Sequence, residues 1–228
     1  MVVNREQRGT GRTGKWAGKV DIGEWKVLFQ SEKSSTFVVV KRNIMNIIET
    51  PIEGLLIIEP DVFKDERGFF METYNAERYA KAGIKQHFVQ SNMSSSSYGV
   101  VRGLHFQRAP YSQSKLVSCI VGMVFDVAVD LREGSKTFGD WFSVVLTEEN
   151  HRQFLIPQGF AHGFSVLSEQ AVFAYQCDNF YHKESEGGIL LTDPQLNIDW
   201  QVPKEKMIVS EKDKQHPLLE EYIQSLKH

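Results

Sequence analysis

The chain has 228 residues, which is enough for one substantial hydrophobic core or at most two small ones. Hydrophobic residues make up 41% and charged residues 24%, an ordinary balance for a soluble globular protein. No run approaches the roughly 18 apolar residues that span a bilayer, so we expect no membrane partner. The two cysteines, Cys119 and Cys177, lie in strand-like runs, which predicts a reduced, cytoplasmic setting rather than a disulfide framework.

The net charge of -3 is unevenly distributed along the chain. Residues 1–44 carry nine Lys and Arg against four Asp and Glu, whereas the remainder carries seventeen against twenty-five. A mildly acidic body argues against nucleic acid as a partner. The first twenty residues are rich in Gly and Arg and have no apolar period, which predicts a flexible tail. We expect residues 1–44 to be a flexible or non-native extension from cloning or an upstream start codon, with an extra domain segment as the alternative.

Within this extension, Thr36 to Val40 form the only obvious strand candidate, and no partner strand is apparent. The remaining residues, 45–228, are expected to form a single domain. From Leu55 onward the pattern is predominantly β, with Gly, Pro, Asn or Ser at many of the turns. The predicted strands cover residues 55–59, 69–74, 86–92, 100–107, 114–121, 123–131, 141–147, 152–156, 164–168 and 171–178.

Two short helices complete the predicted elements. Asn75 can cap a helix that Gly83 ends, and Pro217 opens a second helix that runs to Leu226. Ten short strands and two peripheral helices predict an all-β architecture, and a double-sheet jelly roll is the natural choice.

The stretch from Val101 to Phe164 contains the most informative pattern. Between Met123 and Leu131 the odd positions are apolar and the even positions include two aspartates, which predicts a strand with one buried face. His105 and His162 stand at the two ends of the stretch among glycines and aromatics. Two histidines that a β-sheet fold brings to one concave surface are typical of a catalytic or binding site.

This stretch resembles the cupins and, among them, the dTDP-4-dehydrorhamnose 3,5-epimerase family. The resemblance covers residues 45–226, and six motifs in the family's order carry it: DERGFFMETY (Asp65 to Tyr74), VRGLHFQ (Val101 to Gln107), QSKLV (Gln113 to Val117), VFDVAVDLREGSKTFGDW (Val124 to Trp141), IPQGFAHGF (Ile156 to Phe164) and AYQCDNFY with ESEGGI (Ala174 to Ile189). It implies a cupin jelly roll, a dTDP-sugar substrate, a homodimer, and a role in making dTDP-rhamnose for lipopolysaccharide or cell-wall polysaccharide.

The chemistry of such a reaction agrees with the residue types present. Removing a proton beside a ketone needs a base of near-neutral pKa, a donor or cation for the enolate oxygen, and an acid on the opposite face. The resemblance implies that His105 is the base, Tyr175 the acid, and that Lys115 lies near the keto oxygen. It also implies that Asp213 pairs with the catalytic histidine and holds its tautomer.

The resemblance further implies a set of substrate-binding residues. Cations suit a pyrophosphate, and amides suit the edges of sugar or base. Phe180 is expected either to stack on the thymine ring or to pack in the core. Strict alternation puts Arg102 and His105 on opposite faces of one strand unless Gly103 marks a bulge. The full set is Arg67, Glu72, Gln90, Asn92, Arg102, His162, Phe180, Glu186 and Lys212.

A metal site is not expected. A metal-binding cupin uses a His-x-His pair, a following Glu and a later His, whereas here Gln107 replaces the second histidine. His105 and His162 are too few for a site of two histidines and one carboxylate, so we expect no metal and no cofactor. Two alternatives stay open: a mono-epimerase acting on a related dTDP-4-ketosugar, and a non-catalytic cupin that only binds a nucleotide-sugar.

Overall fold

The structure, a computed structural model, describes residues 16–22, 25–30, 37–41 and 45–226. Contacts divide the chain into two compact units, residues 1–44 and residues 45–228. The first unit contains β1 (Trp16–Ile22), β2 (Trp25–Gln30) and β3 (Phe37–Lys41), which form an antiparallel sheet in the order β1-β2-β3. The strand expected near residue 40 therefore has a partner, which the sequence analysis did not find. Residues 1–15, part of the predicted flexible tail, lie outside the described residues.

The second unit is built almost entirely from short strands. Two helices, α1 (Ala76–Lys81) and α2 (Leu219–Ser225), and three 3₁₀ turns (Lys183–Ser185, Lys204–Lys206 and Asp213–Gln215) accompany them. The strands are β4 (Met45–Glu49), β5 (Leu56–Pro60), β6 (Val62–Asp65), β7 (Gly68–Met71), β8 (Gln90–Ser97), β9 (Val101–Gln107), β10 (Lys115–Val121), β11 (Met123–Asp130), β12 (Trp141–Thr147), β13 (Gln153–Ile156), β14 (Phe160–Val166), β15 (Gln170–Cys177) and β16 (Glu186–Gly188).

Two antiparallel sheets pack face to face. One has six strands in the order β4-β5-β13-β10-β15-β8, and the other has five in the order β12-β11-β14-β9-β16. Neighbours in each sheet are mostly distant in sequence, as in a jelly roll. The strands β6 and β7 form a separate hairpin. The predicted all-β, double-sheet architecture is confirmed.

The core between the sheets takes alternate residues from both. Val117, Phe154 and Phe173 of the six-stranded sheet pack against Val124 and Phe164 of the five-stranded sheet, and all five are at most 5% exposed. Burying an aliphatic or aromatic side chain of this kind stabilises the fold by about 1.5–3 kcal/mol relative to leaving it exposed. This core holds the two sheets together along most of their length.

Both sheets are also covered on their outer faces. The C-terminal segment, including Trp200 and Leu219, packs on the five-stranded sheet, and α1 packs through Tyr79 on the six-stranded sheet. The prediction that β11 has one buried face is therefore wrong. Its even positions, such as Ala128, face the other sheet, and its odd positions, such as Val127, face the C-terminal segment. The alternation of apolar and charged residues in the sequence showed that β11 has two different faces. It did not show that both faces are covered by other parts of the protein.

Several element boundaries differ from the predictions. β8 begins later and continues through a run of four serines that has no apolar signal, because it is an edge strand paired along its length with β15. β14 begins at Phe160, so His162 lies within a strand and not in a loop. Asn75 does cap α1, accepting a hydrogen bond from the Arg78 amide at 3.1 Å. No helix in the described part of the chain is long and apolar enough to cross a membrane.

Candidate active site

One end of the sandwich opens into a cleft of about 260 Å³ that residues of both sheets line. Strands β8, β10 and β15 contribute from the six-stranded sheet, and β9 and β16 from the five-stranded sheet. Clefts that combine apolar walls with a few converging polar groups are the usual form of a ligand site. The lining residues are Gln90, Asn92, His105, Phe106, Gln107, Gln113, Lys115, Tyr175, Cys177, Tyr181 and Glu186.

The two-residue period of β10 and β15 explains why Lys115 and Tyr175 lie in this cleft. Val117 on β10 and Phe173 on β15 point into the core between the sheets. Lys115 and Tyr175 stand two residues away on the same faces, toward the open end, so they continue the line of the core into the cleft. Cys177 follows Tyr175 in the same way and pairs with Lys115 in the strand register.

His105 and Asp213 form a hydrogen-bonded dyad. Nε2 of His105 lies 2.9 Å from Oδ1 of Asp213, whose residue is only 3% exposed although it is 108 positions further along the chain. The Gly103 amide donates to Oδ2 at 3.4 Å, and the Asp213 amide donates to the Ser210 hydroxyl at 3.1 Å. Burial opposes ionisation of Asp213, but the hydrogen bond from His105 and the charge of its imidazole hold the pKa of this carboxyl below its ordinary value.

This geometry determines which histidine nitrogen is free. An ionised carboxylate only accepts hydrogen bonds, so Nε2 of His105 carries the hydrogen and the lone pair is on Nδ1. The imidazole can therefore accept a proton at Nδ1 while Asp213 stabilises the resulting cation. The chemistry expected of these two residues from the sequence is compatible with their arrangement.

An irregularity in β9 explains how Arg102 and His105 can face the same side of the sheet. The register between β14 and β9 shifts between the pairs His162–His105 and Phe164–Arg102, so one strand has an extra residue there. A Cβ atom on Gly103 would lie 2.6 Å from the Cα of Gly163, so only glycine fits this close approach. Arg102 donates to the Ser96 hydroxyl of the opposite sheet at 3.2 Å. Arg102 and His105 therefore both face the space between the sheets.

A second histidine–carboxylate pair lies deeper. Nε2 of His162 is 3.0 Å from Oδ2 of Asp126, and both side chains are almost fully buried. Burial lowers the pKa of His162 and raises that of Asp126, which opposes charge on both partners despite their attraction. Burial likewise lowers the pKa of Lys115, and the electrostatic influence of Cys177 and Asp126 partly opposes this shift.

The proposed acid lies on the wall opposite His105. Burial raises the pKa of Tyr175 above its ordinary value, and the nearby charge of Arg102 opposes this shift. The phenol therefore keeps its proton at neutral pH. The adjacent Cys177 thiol also stays protonated, because burial raises its pKa to about 11.

Charged and amide groups surround the mouth of the cleft. Glu186 accepts hydrogen bonds from the Tyr181 hydroxyl at 2.9 Å and from the Lys212 ammonium. Burial acts against its ionisation, but these two donors keep the pKa of Glu186 below its ordinary value. Gln90 and Asn92, neighbours on one face of β8, are joined by a 3.2 Å hydrogen bond. Four expected binding residues therefore meet at this mouth.

The side chains of three expected binding residues do not line the cleft. Arg67 is at the tip of the β6–β7 hairpin, where it pairs with Asp65 and its side chain is 84% exposed. Glu72 binds Arg78 of α1. Phe180 is 59% exposed, so the alternative of core packing is wrong, while its carbonyl accepts from Gln107 at 3.1 Å. None of the three side chains lines the cleft within the described chain.

Two residues at the site, Asp126 and His216, were not predicted from the sequence. Asp126 had a signal, since it is a charged residue within an otherwise apolar strand, but it was interpreted as lying on an exposed face. His216 had none, and it lies beside the dyad with its ring 5.5 Å from that of His105. The donor atoms of His105, Asp213 and His216 lie within 4.8 Å of one another. The sequence offered only His105 and His162 for such a set, whereas the fold brings His216 of the C-terminal segment beside His105 and Asp213. The expectation of no metal stays a prediction.

The jelly roll and the cleft at its open end define a cupin whose site holds a histidine–aspartate dyad, a lysine and a tyrosine. The sequence model of the dTDP-4-dehydrorhamnose 3,5-epimerase family matches residues 49–221, and the chain belongs to that family.

Similar proteins are known in sequence and in structure. The chain is 55% identical over 170 residues to the dTDP-4-dehydrorhamnose 3,5-epimerase of Shigella flexneri, which covers 74% of this chain and 93% of that protein. The crystal structure of the Elizabethkingia anophelis NUHP1 enzyme superposes with a TM-score of 0.75 at 54% identity, covering 78% of this chain and 98% of the other. A dTDP-6-deoxy-D-glucose-3,5-epimerase from Legionella pneumophila Philadelphia 1, solved with dTDP-4-keto-L-rhamnose, gives a TM-score of 0.74 at 55% identity, covering 77% and 93%.

Proposed function

We propose that this protein is an isomerase that converts dTDP-4-dehydro-6-deoxy-D-glucose to dTDP-4-dehydro-L-rhamnose by inverting carbons 3 and 5. The observation that carries this proposal is the placement of His105 and Tyr175 on opposite sheets, facing one cleft. Inversion at carbon needs proton removal from one face and proton delivery to the other. A base and an acid on facing walls meet that requirement without a cofactor.

Each side chain has a distinct role in this reaction. The ketone at carbon 4 acidifies the C–H bonds at carbons 3 and 5, and Nδ1 of His105 takes the proton. Asp213 fixes the imidazole and stabilises the imidazolium. Lys115 stabilises the oxygen that becomes an enolate, and its surroundings of low polarity strengthen that interaction. Tyr175 then returns a proton from the other face, and His105 and Tyr175 serve twice if the sugar ring turns between steps.

The mouth of the cleft is suited to the rest of the nucleotide-sugar. Gln90 and Asn92 offer amides, and Lys212 and Arg102 offer cations for the pyrophosphate. His162 is proposed to act from behind the cleft, where its charge and that of Lys115 influence each other. Phe180 is exposed beside this mouth and can stack on thymine. These assignments rest on position and chemistry.

A homodimer accounts for the residues that the single chain leaves outside its cleft. The hairpin that carries Arg67 is exposed, with Phe69 and Phe70 58% and 70% exposed on it. If two subunits exchange their N-terminal strands, Arg67 and Glu72 reach the partner's cleft. Sedimentation at micromolar concentration is expected to give twice the mass of one chain, and a monomer would contradict this arrangement. The two free, buried cysteines support a reduced, cytoplasmic setting.

Residues 45–228 are proposed to be the epimerase domain. Among the described residues, those that line the cleft or contact the dyad all lie in this unit. The proposed reaction assigns no residue of the 1–44 extension a part.

The test is to incubate the protein with the ketosugar in deuterated water and count incorporated deuterons by mass spectrometry. Two deuterons are expected, one from each inverted carbon. A single deuteron would instead indicate a mono-epimerase, which uses the same dyad but restricts how the ring turns. Incorporation of none would indicate a non-catalytic nucleotide-sugar-binding cupin and overturn the proposal.

A further inference from the structure

His216 lies partly buried beside the dyad and has no role in the proposed reaction. Its side chain is 12% exposed, and its ring lies against Gly188, where an added Cβ would come within 2.5 Å of Nε2. Nε2 has no hydrogen-bond partner among the described residues, although the atom itself is almost completely buried. Buried polar atoms normally have a partner, so an unpartnered one in a cluster of good ligands is a reason to look for a binding role.

The unpartnered nitrogen is aimed toward the dyad. Nε2 of His216 lies 3.9 Å from Oδ1 of Asp213, the same oxygen that lies 2.9 Å from Nε2 of His105. The three donor atoms are within 4.8 Å of one another. Donor atoms around a tetrahedral zinc ion, with bonds of about 2.0–2.2 Å, lie roughly 3–3.5 Å apart, so a shift of about 1 Å by one side chain brings all three into range.

The donor set also has the right chemistry. Two neutral imidazoles and one carboxylate suit zinc and other borderline-soft divalent ions, and a set of three protein ligands leaves one position for water. The cluster adjoins the cleft through the partly exposed His105 side chain, which supplies a path for an ion from solvent. The buried carboxylate of Asp213 carries a negative charge. This charge favours a cation at the site over a neutral hydrogen-bond donor.

We propose that His105, Asp213 and His216 form an inhibitory site for a divalent zinc ion. The ion coordinates Nε2 of His105, a carboxylate oxygen of Asp213 and Nε2 of His216, and so replaces the hydrogen bond of the dyad. The hydrogen of His105 moves from Nε2 to Nδ1, which leaves the proton count of the imidazole unchanged. Nδ1 then has no lone pair for the substrate, and Asp213 is no longer its partner. Zinc therefore switches off the base without blocking the nucleotide site.

The first experiment measures zinc binding to the full chain without substrate. Isothermal calorimetry with zinc chloride is expected to give one ion per chain, and a chelator is expected to reverse it. Zinc binding depends only on the three ligands of the cluster, whereas inhibition of turnover by zinc also rests on the proposed function. A chain that binds zinc but does not turn over the ketosugar would overturn the function and leave the site standing. Absence of binding up to millimolar zinc would overturn the site.

The second experiment assigns the ligands. His216→Phe keeps a ring against Gly188 but removes both nitrogens, and is expected to raise the zinc concentration for half-inhibition at least about tenfold, the lower bound for losing even an outer-shell partner. His87→Phe is the matched control, because His87 is exposed in the loop before β8 and should leave zinc inhibition unchanged. Zinc inhibition of His216→Phe equal to that of the wild type would overturn the proposal.

A folding control keeps the comparison interpretable. Phenylalanine is larger than histidine and the space beside Gly188 is tight, so melting temperatures are measured in chelator for every variant. His216→Asn, which is smaller, replaces His216→Phe if the latter does not fold, with the same expected loss of zinc sensitivity. Zinc is expected to raise the melting temperature of the wild type and of His87→Phe, but not of either His216 variant. A zinc-induced rise in a folded His216 variant equal to that of the wild type would place the ion elsewhere.

Discussion

His105 and His162 are the same side chain held by the same type of carboxylate, yet their surroundings give them different uses. The His105 side chain is 31% exposed and lines the cleft, whereas that of His162 is 8% exposed and faces a fully buried Asp126. A base must reach its substrate, and only His105 has that access. His162 instead holds Asp126 in place behind Lys115, where the pair shapes the field at the proposed enolate oxygen.

The separate roles of base and acid predict an asymmetry between two variants. General acid–base groups contribute about 10²- to 10⁴-fold each, so His105→Ala should lose roughly 3–5 kcal/mol of transition-state stabilisation. It should also stop exchange of the carbon-bound protons with solvent, because no base remains to remove them. Tyr175→Phe keeps the base, so protons still leave and return from one face with little inversion. Mass spectrometry in deuterated water, with product analysis, measures both effects.

Wild-type enzyme in the same solvent is the reference for these two variants. If His105→Ala exchanged protons as fast as the wild type, His105 would not be the base, and the search would turn to His162 or Lys115. Loss of exchange in both variants would mean that Tyr175 is needed for proton removal as well.

Some residues of the site lie on regular strands, and these could be predicted from the sequence. Lys115 and Tyr175 lie on the neighbouring strands β10 and β15. The two-residue period of side chains places both on the face that continues from the core into the cleft. Asp213 could be predicted through the family motifs, but not from its own surroundings. Asp126 and His216 were missed because their roles depend on contacts that form only when distant segments pack together. Burial on both faces of β11 and docking of the C-terminal segment are not visible in local patterns.

The loop between β11 and β12 is held by a single buried carboxylate. Asp130 accepts hydrogen bonds from the Arg132 guanidinium at 2.7 Å, and from the hydroxyls of Ser135 and Thr137, also at 2.7 Å. Burial opposes its ionisation, but these donors outweigh it and lower the pKa of Asp130 to about 2. The conformation of the loop is therefore held by hydrogen bonds to one charged side chain, that of Asp130.

Replacing this carboxylate is expected to destabilise the protein in a pH-dependent way. The folded pKa lies below the ordinary 3.8, so the stabilisation is complete above pH 3.8 and is lost as the pH falls through about 2. Asp130→Asn should therefore lower the free energy of unfolding by about 2 kcal/mol at pH 7, and by progressively less between pH 4 and pH 2. Urea unfolding at several pH values measures this difference.

Asp140→Asn is the matched control for that series, since the side chain is exposed at the end of the same loop. Its effect should stay within about 0.5 kcal/mol at every pH. A loss in Asp130→Asn that does not depend on pH would mean that shape, and not charge, closes the loop.

The C-terminal helix is attached through another buried aspartate. Asp193 is 2% exposed, and it accepts hydrogen bonds from the amides of Gln195, Leu196 and Leu219 at 2.8, 2.9 and 2.7 Å. The last of these fixes the start of α2. Because the Asp213 turn immediately precedes α2, this attachment also bears on the dyad.

Removing the attachment should therefore affect both stability and turnover. Asp193→Ala leaves three backbone donors without their partner and should cost about 2–3 kcal/mol in the free energy of unfolding. It should also lower kcat by loosening the turn that carries Asp213. Asp199→Ala, exposed in the same segment, is the control and should change neither. A stable Asp193→Ala protein with full turnover would show that α2 does not hold the dyad.

The strands predicted best are β9 to β12, and three of them, β9, β10 and β11, are paired on both sides. The strands β9 to β12 lie within two residues of their predicted bounds. Most of the errors fall at the edges of sheets: the serine-rich half of β8, the short β16, and the strands before Leu55. The start of β14, a central strand, was also placed four residues too late. An edge strand is stabilised by the backbone hydrogen bonds of one neighbour, and this stabilisation leaves little trace in side-chain polarity.

The whole chain divides into two units, and the proposed reaction needs only one. Residues 45–228 contain the sandwich, the cleft and the dyad. Deleting residues 1–44 is therefore expected to leave the melting temperature and turnover of the remaining protein unchanged within error. Calorimetry and a coupled epimerase assay on the full and shortened chains make the comparison.

The opposite result would be informative about β3. A large fall in melting temperature on deletion would show that the Phe37–Lys41 strand is an integral part of the stable fold. Unchanged stability with reduced turnover would instead give the extension a part in the reaction.

The distance along the chain between His105 and Asp213 has a consequence for how the protein is made. A ribosome completes the base, the lysine and the acid before it reaches the carboxylate that orients the base, 108 residues downstream of His105. The sheets can already be paired at that stage, because the last strand, β16, ends at Gly188. The nascent chain thus has a cleft and its ligand contacts before it has a working dyad. The segment that follows β16 is the one that supplies Asp213 to the site.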